Sequence, residues 1–187
     1  MKAVLISIQP KWVEKIARGE KTIEVRKTKP KLETPFKCYI YETQGEYKTG
    51  TGIFAYGIEL KGTKKGRGKV IGEFVCDRIE LYYYTELIGT HSYEDGYLIG
   101  TGNPCLSYVE FLKYGKGDDL YGWHISDLKI YDKPKELSEF IKPCHYTDGT
   151  HCLEHKCEYY DDYSGKCCCK VERPTQSWCY VKELQNG

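Results

Sequence analysis

The alternation of apolar and polar positions divides the chain into short strands with few helices. Ala3 to Ile8 is almost continuously apolar, the pattern of a core strand. From Pro10 to Arg18 the period changes. Trp12, Val13, Ile16 and Ala17 group on one side at helical spacing, Pro10 suits a first helical position, and Gly19 stands where a C-terminal cap belongs. The period returns to two when Thr22, Glu24 and Arg26 alternate with Ile23 and Val25, which predicts a strand whose polar side faces a cleft or water. Strict alternation would put Lys21 on the side of Ile23 and Val25. It joins Glu24 and Arg26 only if it still belongs to the turn.

Phe36 to Glu42 alternates Cys38 and Ile40 with Tyr39 and Tyr41, so that one face packs and Tyr41 is a candidate to line a base-binding cleft. With 18 tyrosines in the chain, the competing reading of Tyr41 is structural. Residues 43 to 69, rich in Gly, Thr and Lys, read as a long loop or an irregular hairpin. Val70 to Asp77 is a core strand in which Glu73 shares a side with Ile71 and Val75, so its carboxylate needs a partner, with Lys21 or Arg26 as candidates, in a pair that is either structural or the charged floor of a ligand pocket. After turn signals from His91 to Gly102, Leu106 to Lys113 reads as a short amphipathic helix. Tyr121 to Ile125 and Leu128 to Tyr131 read as strands, Pro134 to Pro143 as a helical turn, and Ser177 to Val181 as a closing strand. Trp123 beside His124 offers a ring and a hydrogen-bonding group to a base, or simply a core tryptophan.

Net charge is only +1, yet residues 1 to 69 hold 16 Lys and Arg against 7 Asp and Glu, and residues 70 to 187 hold 12 against 20. Unless the halves interleave, this predicts a dipolar surface whose basic side attracts phosphates. The basic stretch from Lys61 to Lys69 supplies Lys64, Lys65 and Arg67 as sequence-independent phosphate contacts. It lacks the strand and helix context of a nucleotide-binding phosphate loop. No basic, then apolar, leader opens the chain and no apolar run approaches the ~20 residues that cross a bilayer, so the expectation is a cytoplasmic protein without membrane contact.

In that reducing compartment ten cysteines point away from disulfides, and clustered ones point to metal. Composition shifts at Cys144: seven of the ten cysteines and three of the five histidines lie in the last 44 residues. The expected organisation is residues 1–143 as one domain and 144–187 as a cysteine-rich zinc-binding extension with a closing strand. A hairpin turn expected at Tyr163 to Gly165 would bring two groups of thiols together, with Cys144, Cys152, Cys157 and Cys167 as the ligands of one structural zinc, and Cys169, His151 or His155 as replacements. Cys38, Cys76 and Cys105 belong with core elements.

The run LISIQPKWVEKIARGEKTIEVRK, with Gly19, Lys21, Glu24 and Arg26 spaced as G-x-K-x-x-E-x-R, and a later strand GKVIGEF resemble an ASCH domain of the PUA-like superfamily. The resemblance covers roughly the first 130 residues, an ordinary domain size. It implies an α+β, mainly β fold, a PUA-like β-barrel with peripheral helices, and interaction with RNA or a nucleoside through a cleft floored by the motif residues. Some members of that family are amidohydrolases that remove the acetyl group of N4-acetylcytidine. They are similar at Lys21 and Thr22 but place a threonine where this chain has Glu24. Three classes of function follow. The chain is an RNA or modified-nucleoside binder, a hydrolase of a modified nucleoside or of RNA with Lys21, Thr22 and Glu24 as catalytic candidates, or a zinc-stabilised protein-interaction domain. A catalytic lysine would need a lowered pKa, which Glu24 and Glu73 nearby would oppose.

Overall fold

The computed structural model describes residues 1–55, 58–84, 102–143, 160–161, 166–167 and 169–184. Strand β1 (Lys2–Ile8) is followed by helix α1 (Pro10–Ala17), strand β2 (Ile23–Arg26) and strand β3 (Phe36–Glu42). β1 and β3 pair in parallel, so the chain must cross over between them, and α1 and β2 occupy the crossover. Strands β4 (Glu46–Ala55) and β5 (Ile58–Lys65) form an antiparallel hairpin across the segment expected as a loop or irregular hairpin. β6 (Lys69–Cys76) and the short β7 (Ile79–Tyr82) precede helix α2 (Tyr108–Gly115), β8 (Leu120–His124) and β9 (Ser126–Lys135). A 3₁₀ turn at Leu137–Glu139 lies within the helical turn expected there. β10 (Tyr160–Asp161) pairs antiparallel with β11 (Lys166–Cys167), and β12 (Trp178–Lys182) is the closing strand.

The principal sheet has the order β12-β1-β3-β6-β9, and a second, three-stranded sheet has the order β2-β8-β7. Along β3, Cys38 and Ile40 enter one apolar cluster with Val4, Ile6, Phe74 and Trp123, whereas Tyr39 and Tyr41 enter another with Leu5, Val70, Phe140 and Val181. The principal sheet is therefore covered on both faces, which explains the unbroken apolar run of β1. Trp123 brings the second sheet onto the first, edge-on to Phe36 at 5.9 Å between ring centroids and 6.0 Å from Trp178. The opposite side of β2, Ile23 and Val25, packs against Phe111 and Leu120 beneath α2. The result is a mainly β, barrel-like fold with two peripheral helices among the described residues.

Local chemistry fixes the two helices. Pro10 opens α1, and Arg18 is its last capped residue; Gly19 then takes φ of +74°. The Gly19 amide bonds the Ile16 carbonyl and the Glu20 amide bonds the Lys15 carbonyl, each at 2.9 Å, the paired closure that favours glycine just past a helix end. α2 opens on a reciprocal cap: the Ser107 hydroxyl accepts from the Glu110 amide at 3.3 Å, and the Glu110 carboxylate accepts from the Ser107 amide at 3.0 Å.

Two expectations change at β6. A bulge leaves Ile71 unpaired, because Ile40 faces Gly72 while Tyr41 faces Val70. The extra residue moves Ile71 to the Phe74 side and leaves Glu73 on the opposite one. Glu73 accordingly pairs with Lys37 at 3.5 Å and accepts from the Tyr131 hydroxyl, away from Lys21 and Arg26. Tyr41 is only 4% exposed, because both faces of β3 are covered. Cys38, Cys76 and Cys105 are buried free thiols, as expected, and burial pushes the pKa of each upward.

Candidate ligand cleft

The turn after α1 resolves the position of Lys21. β2 begins at Ile23, so Lys21 precedes the alternation and its side chain turns back toward Glu24. Lys21 Nζ lies 3.4 Å from Glu24 Oε2, and Arg26 Nη2 lies 2.9 Å from Glu24 Oε1. The three groups are 3%, 5% and 7% exposed. This is a buried charge cluster, not the solvated pair that contributes little. Two backbone carbonyls complete it: Lys21 donates to Pro104 and Arg26 to Ser7, each at 2.6 Å.

Burial lowers the Lys21 pKa, and it outweighs the opposing attraction of Glu24. Sequence reasoning expected the carboxylates to win. Glu73 is elsewhere, however, and the ammonium lies under Trp12, 5.2 Å from its ring centroid. The segment 103–105 seals the other side. Thr22 and Ile23 amides bond the Asn103 carbonyl, the Asn103 amide bonds the Thr22 hydroxyl at 2.8 Å, and the Cys105 amide bonds the Asn103 side chain. Thr22 is thereby committed to holding this wall.

The trio floors a cleft of about 780 Å³, within the roughly 300–1,000 Å³ range usual for small-ligand sites. Its walls come from Ser7 on β1 and Gln9 just after it, Trp12 on α1, Glu110 and Tyr114 on α2, and Ser177 before β12. Lys11 of α1 and Glu110 of α2 approach to 3.9 Å at its margin. The Ser7 hydroxyl, Glu24 Oε2 and Arg26 Nε are buried and have no hydrogen-bond partner among the described residues. The Lys21 to Glu24 contact is thus an ion pair without hydrogen-bond geometry. Such orphaned groups cost about 1–3 kcal/mol each, and the three residues that carry them, with a donor, an acceptor and a hydroxyl that serves as either, line one cleft.

Several predicted residues lie outside the cleft. Trp123 stands opposite Glu24 in the β2–β8 register but is fully buried behind the floor, its faces taken by aromatic neighbours, so no base can stack on it. His124 packs instead with the Arg78 guanidinium at 3.1 Å and Glu80 at 3.0 Å. Tyr41 and Glu73 belong to the principal sheet, as described above. Lys64, Lys65 and Arg67 are exposed at the hairpin end, where Lys64 pairs with Glu14 at 3.0 Å and Arg67 approaches Glu42 at 3.6 Å. Conversely, Ser7, Trp12 and Tyr114 were not singled out. The signal for Ser7 was there, as the single hydroxyl in an otherwise apolar strand.

Of the candidate zinc ligands, Cys144, Cys152 and Cys157 lie outside the described residues, as does His151 or His155. Cys167 is placed on β11, opposite Tyr160. Among the described residues no group of three or more His, Cys, Asp or Glu could hold a metal ion.

No protein-family profile matches the chain, and no curated protein matches it in sequence. Solved structures do match. The ASCH protein of Zymomonas mobilis aligns with a TM-score of 0.51 at 16% identity, covering 97% of this chain and 88% of that one. A Tyr-to-Phe mutant of the same protein aligns with a TM-score of 0.53 at 16% identity over 98% and 92%. A Ser-to-Ala mutant gives 0.53 at 15% over 97% and 89%. The fold is therefore ASCH-like, as the sequence resemblance implied.

Proposed function

We propose that this ASCH-like protein binds RNA or a nucleoside, with a base entering the cleft over Lys21, Glu24 and Arg26. The observation that carries the reading is that Ser7, Glu24 and Arg26, each with a buried polar atom lacking a hydrogen-bond partner among the described residues, line one cleft. A nucleobase edge supplies donors and acceptors side by side. Glu24 Oε2 accepts from an N–H or amino group, and Arg26 Nε donates to a ring nitrogen or carbonyl. Trp12 and Tyr114 line the same cleft and offer ring surface to a flat ligand. A site built this way rejects ligands that leave its polar groups unpaired.

A second reading, hydrolysis of a modified nucleoside, is favoured by one specific feature. Lys21 is buried and its pKa is lowered, which brings an amine closer to the state in which it accepts a proton. Against it, the Thr22 hydroxyl accepts the Asn103 amide and lines no part of the cleft. The experiment is equilibrium binding of nucleosides and short single-stranded RNA to wild type and Glu24→Gln, followed by mass analysis of the incubated ligands. Binding lost in Glu24→Gln with ligands recovered intact supports the binder. A mass change that disappears in Lys21→Ala supports the hydrolase. No binding to either ligand class overturns both.

A further inference from the structure

In the basic stretch that stands out in the sequence, Lys61 to Lys69, three residues are spent on the protein itself. Lys64 pairs with Glu14, Arg67 with Glu42, and Lys69 with Glu136 at 2.6 Å. A second basic run differs in this respect. It begins one residue beyond Arg26, at Lys27, and includes Lys29 and Lys31, all exposed. Among the described residues no carboxylate pairs with Lys29 or Lys31, whereas Lys27 pairs with Asp118 at 3.6 Å.

This run is held in place. Lys27 Nζ donates to the Gly115 carbonyl at the end of α2, beside the cleft-lining Tyr114. The Thr28 hydroxyl accepts from the Trp178 indole at 3.0 Å, and the Lys31 amide donates to the Tyr180 hydroxyl at 2.7 Å. Lys29 Nζ sits 5.7 Å from the Tyr121 ring centroid. An ordered file of lysines thus runs out of the cleft over aromatic rings of β8 and β12.

Resting on the base-binding reading, we propose that residues 27–31 are the phosphate track of single-stranded RNA: the strand inserts one base over Glu24 and Arg26 and lays its backbone along Lys29 and Lys31. Lys29 and Lys31, which no carboxylate pairs among the described residues, supply the phosphate contact, and partly exposed rings beside them suit unstacked bases. An acidic protein segment would use the lysines but has no need of the cleft or the rings. Fixing the track against two strands in the unbound protein also lowers the ordering cost of binding.

The test is fluorescence anisotropy with a labelled single-stranded RNA across a salt series, using full-length protein. Wild type, Lys29→Ala with Lys31→Ala, and Lys64→Ala with Lys65→Ala and Arg67→Ala are compared, with thermal melts confirming that each variant folds. With about 0.7 logarithmic units of salt slope per contact on single strands, loss of Lys29 and Lys31 should reduce the slope by about 1.4, and the hairpin variant should leave it unchanged. A slope intact in the Lys29 and Lys31 variant, with Glu24→Gln still abolishing binding, overturns the track and spares the cleft. Absence of RNA binding by wild type at low salt overturns the underlying reading as well. Equal binding of polyglutamate, sensitive to the same two lysines, overturns RNA as the partner of the track.

Discussion

Lys21 carries two opposed effects, the cost of burying an ammonium and the attraction of Glu24, and the first prevails. Its folded pKa is thus below the unfolded value, so between the two the unfolded chain binds more protons. The burial penalty is complete below the folded pKa and is relieved as pH rises toward the ordinary lysine range. Urea unfolding should show wild type gaining stability relative to Lys21→Met across that alkaline window; a constant difference would mean that Lys21 is not desolvated. Around it the charge count sets an order of severity. Glu24→Ala leaves two buried cations facing each other and should cost roughly 3–5 kcal/mol, whereas Arg26→Ala leaves Lys21 and Glu24 paired and should cost less. Equal, small losses in both variants would mark a solvated cluster. At this scale the sequence was informative where spacing acts locally: Gly19, Lys21, Glu24 and Arg26 do converge. It was uninformative for Trp123, His124 and Glu73, whose surroundings depend on which sheet face packs and on a one-residue bulge.

Among the elements, α1 and the turn after it do the positioning. Gly19 adopts φ of +74°, and nothing lies within 4 Å of a Cβ added there, so substitution strains the backbone without a clash. Gly19→Ala should lose roughly 1–2 kcal/mol in chemical denaturation, and Gly19→Asn less, because asparagine tolerates this conformation better. Equal stability of Gly19→Ala and wild type would show that the turn is not held left-handed. The helices, β1, β3, β6 and the closing strand were legible to within a few residues because period and capping residues agree. β7 was missed, since four residues give too little alternation. The β4–β5 hairpin was left undecided, since its Gly, Thr and Lys content masks the pairing.

For the whole molecule, the basic and acidic halves of the sequence are joined in space. β1 and β3 are interleaved with β6, β9 and β12, and ion pairs join the halves: Lys11 with Glu110, Lys37 with Glu73 and Glu183, Lys69 with Glu136. Only long-range pairing settles this, so composition by halves could not. The C-terminal region is likewise woven in, with Val171 and Val181 packed in the same cluster as Leu5. For the cysteine-rich stretch the expected outcome is one zinc per chain, bound through Cys144, Cys152, Cys157 and Cys167. Elemental analysis of protein purified without added metal, repeated for each Cys→Ser variant, checks it. Well under one equivalent, or a tail equally protease-resistant in chelator, would count against a metal that orders the segment.

The central claim, that the buried trio floors a base-binding cleft, is tested most directly by the Arg26 Nε–H resonance in a nitrogen-15 correlation spectrum, since that donor is buried and has no hydrogen-bond partner among the described residues. On titration with nucleosides or short single-stranded RNA, the account predicts a saturable shift of this signal, accompanied by the amides of Ser7 and Glu24. A ligand that binds while the Arg26 Nε–H signal stays fixed would contradict it.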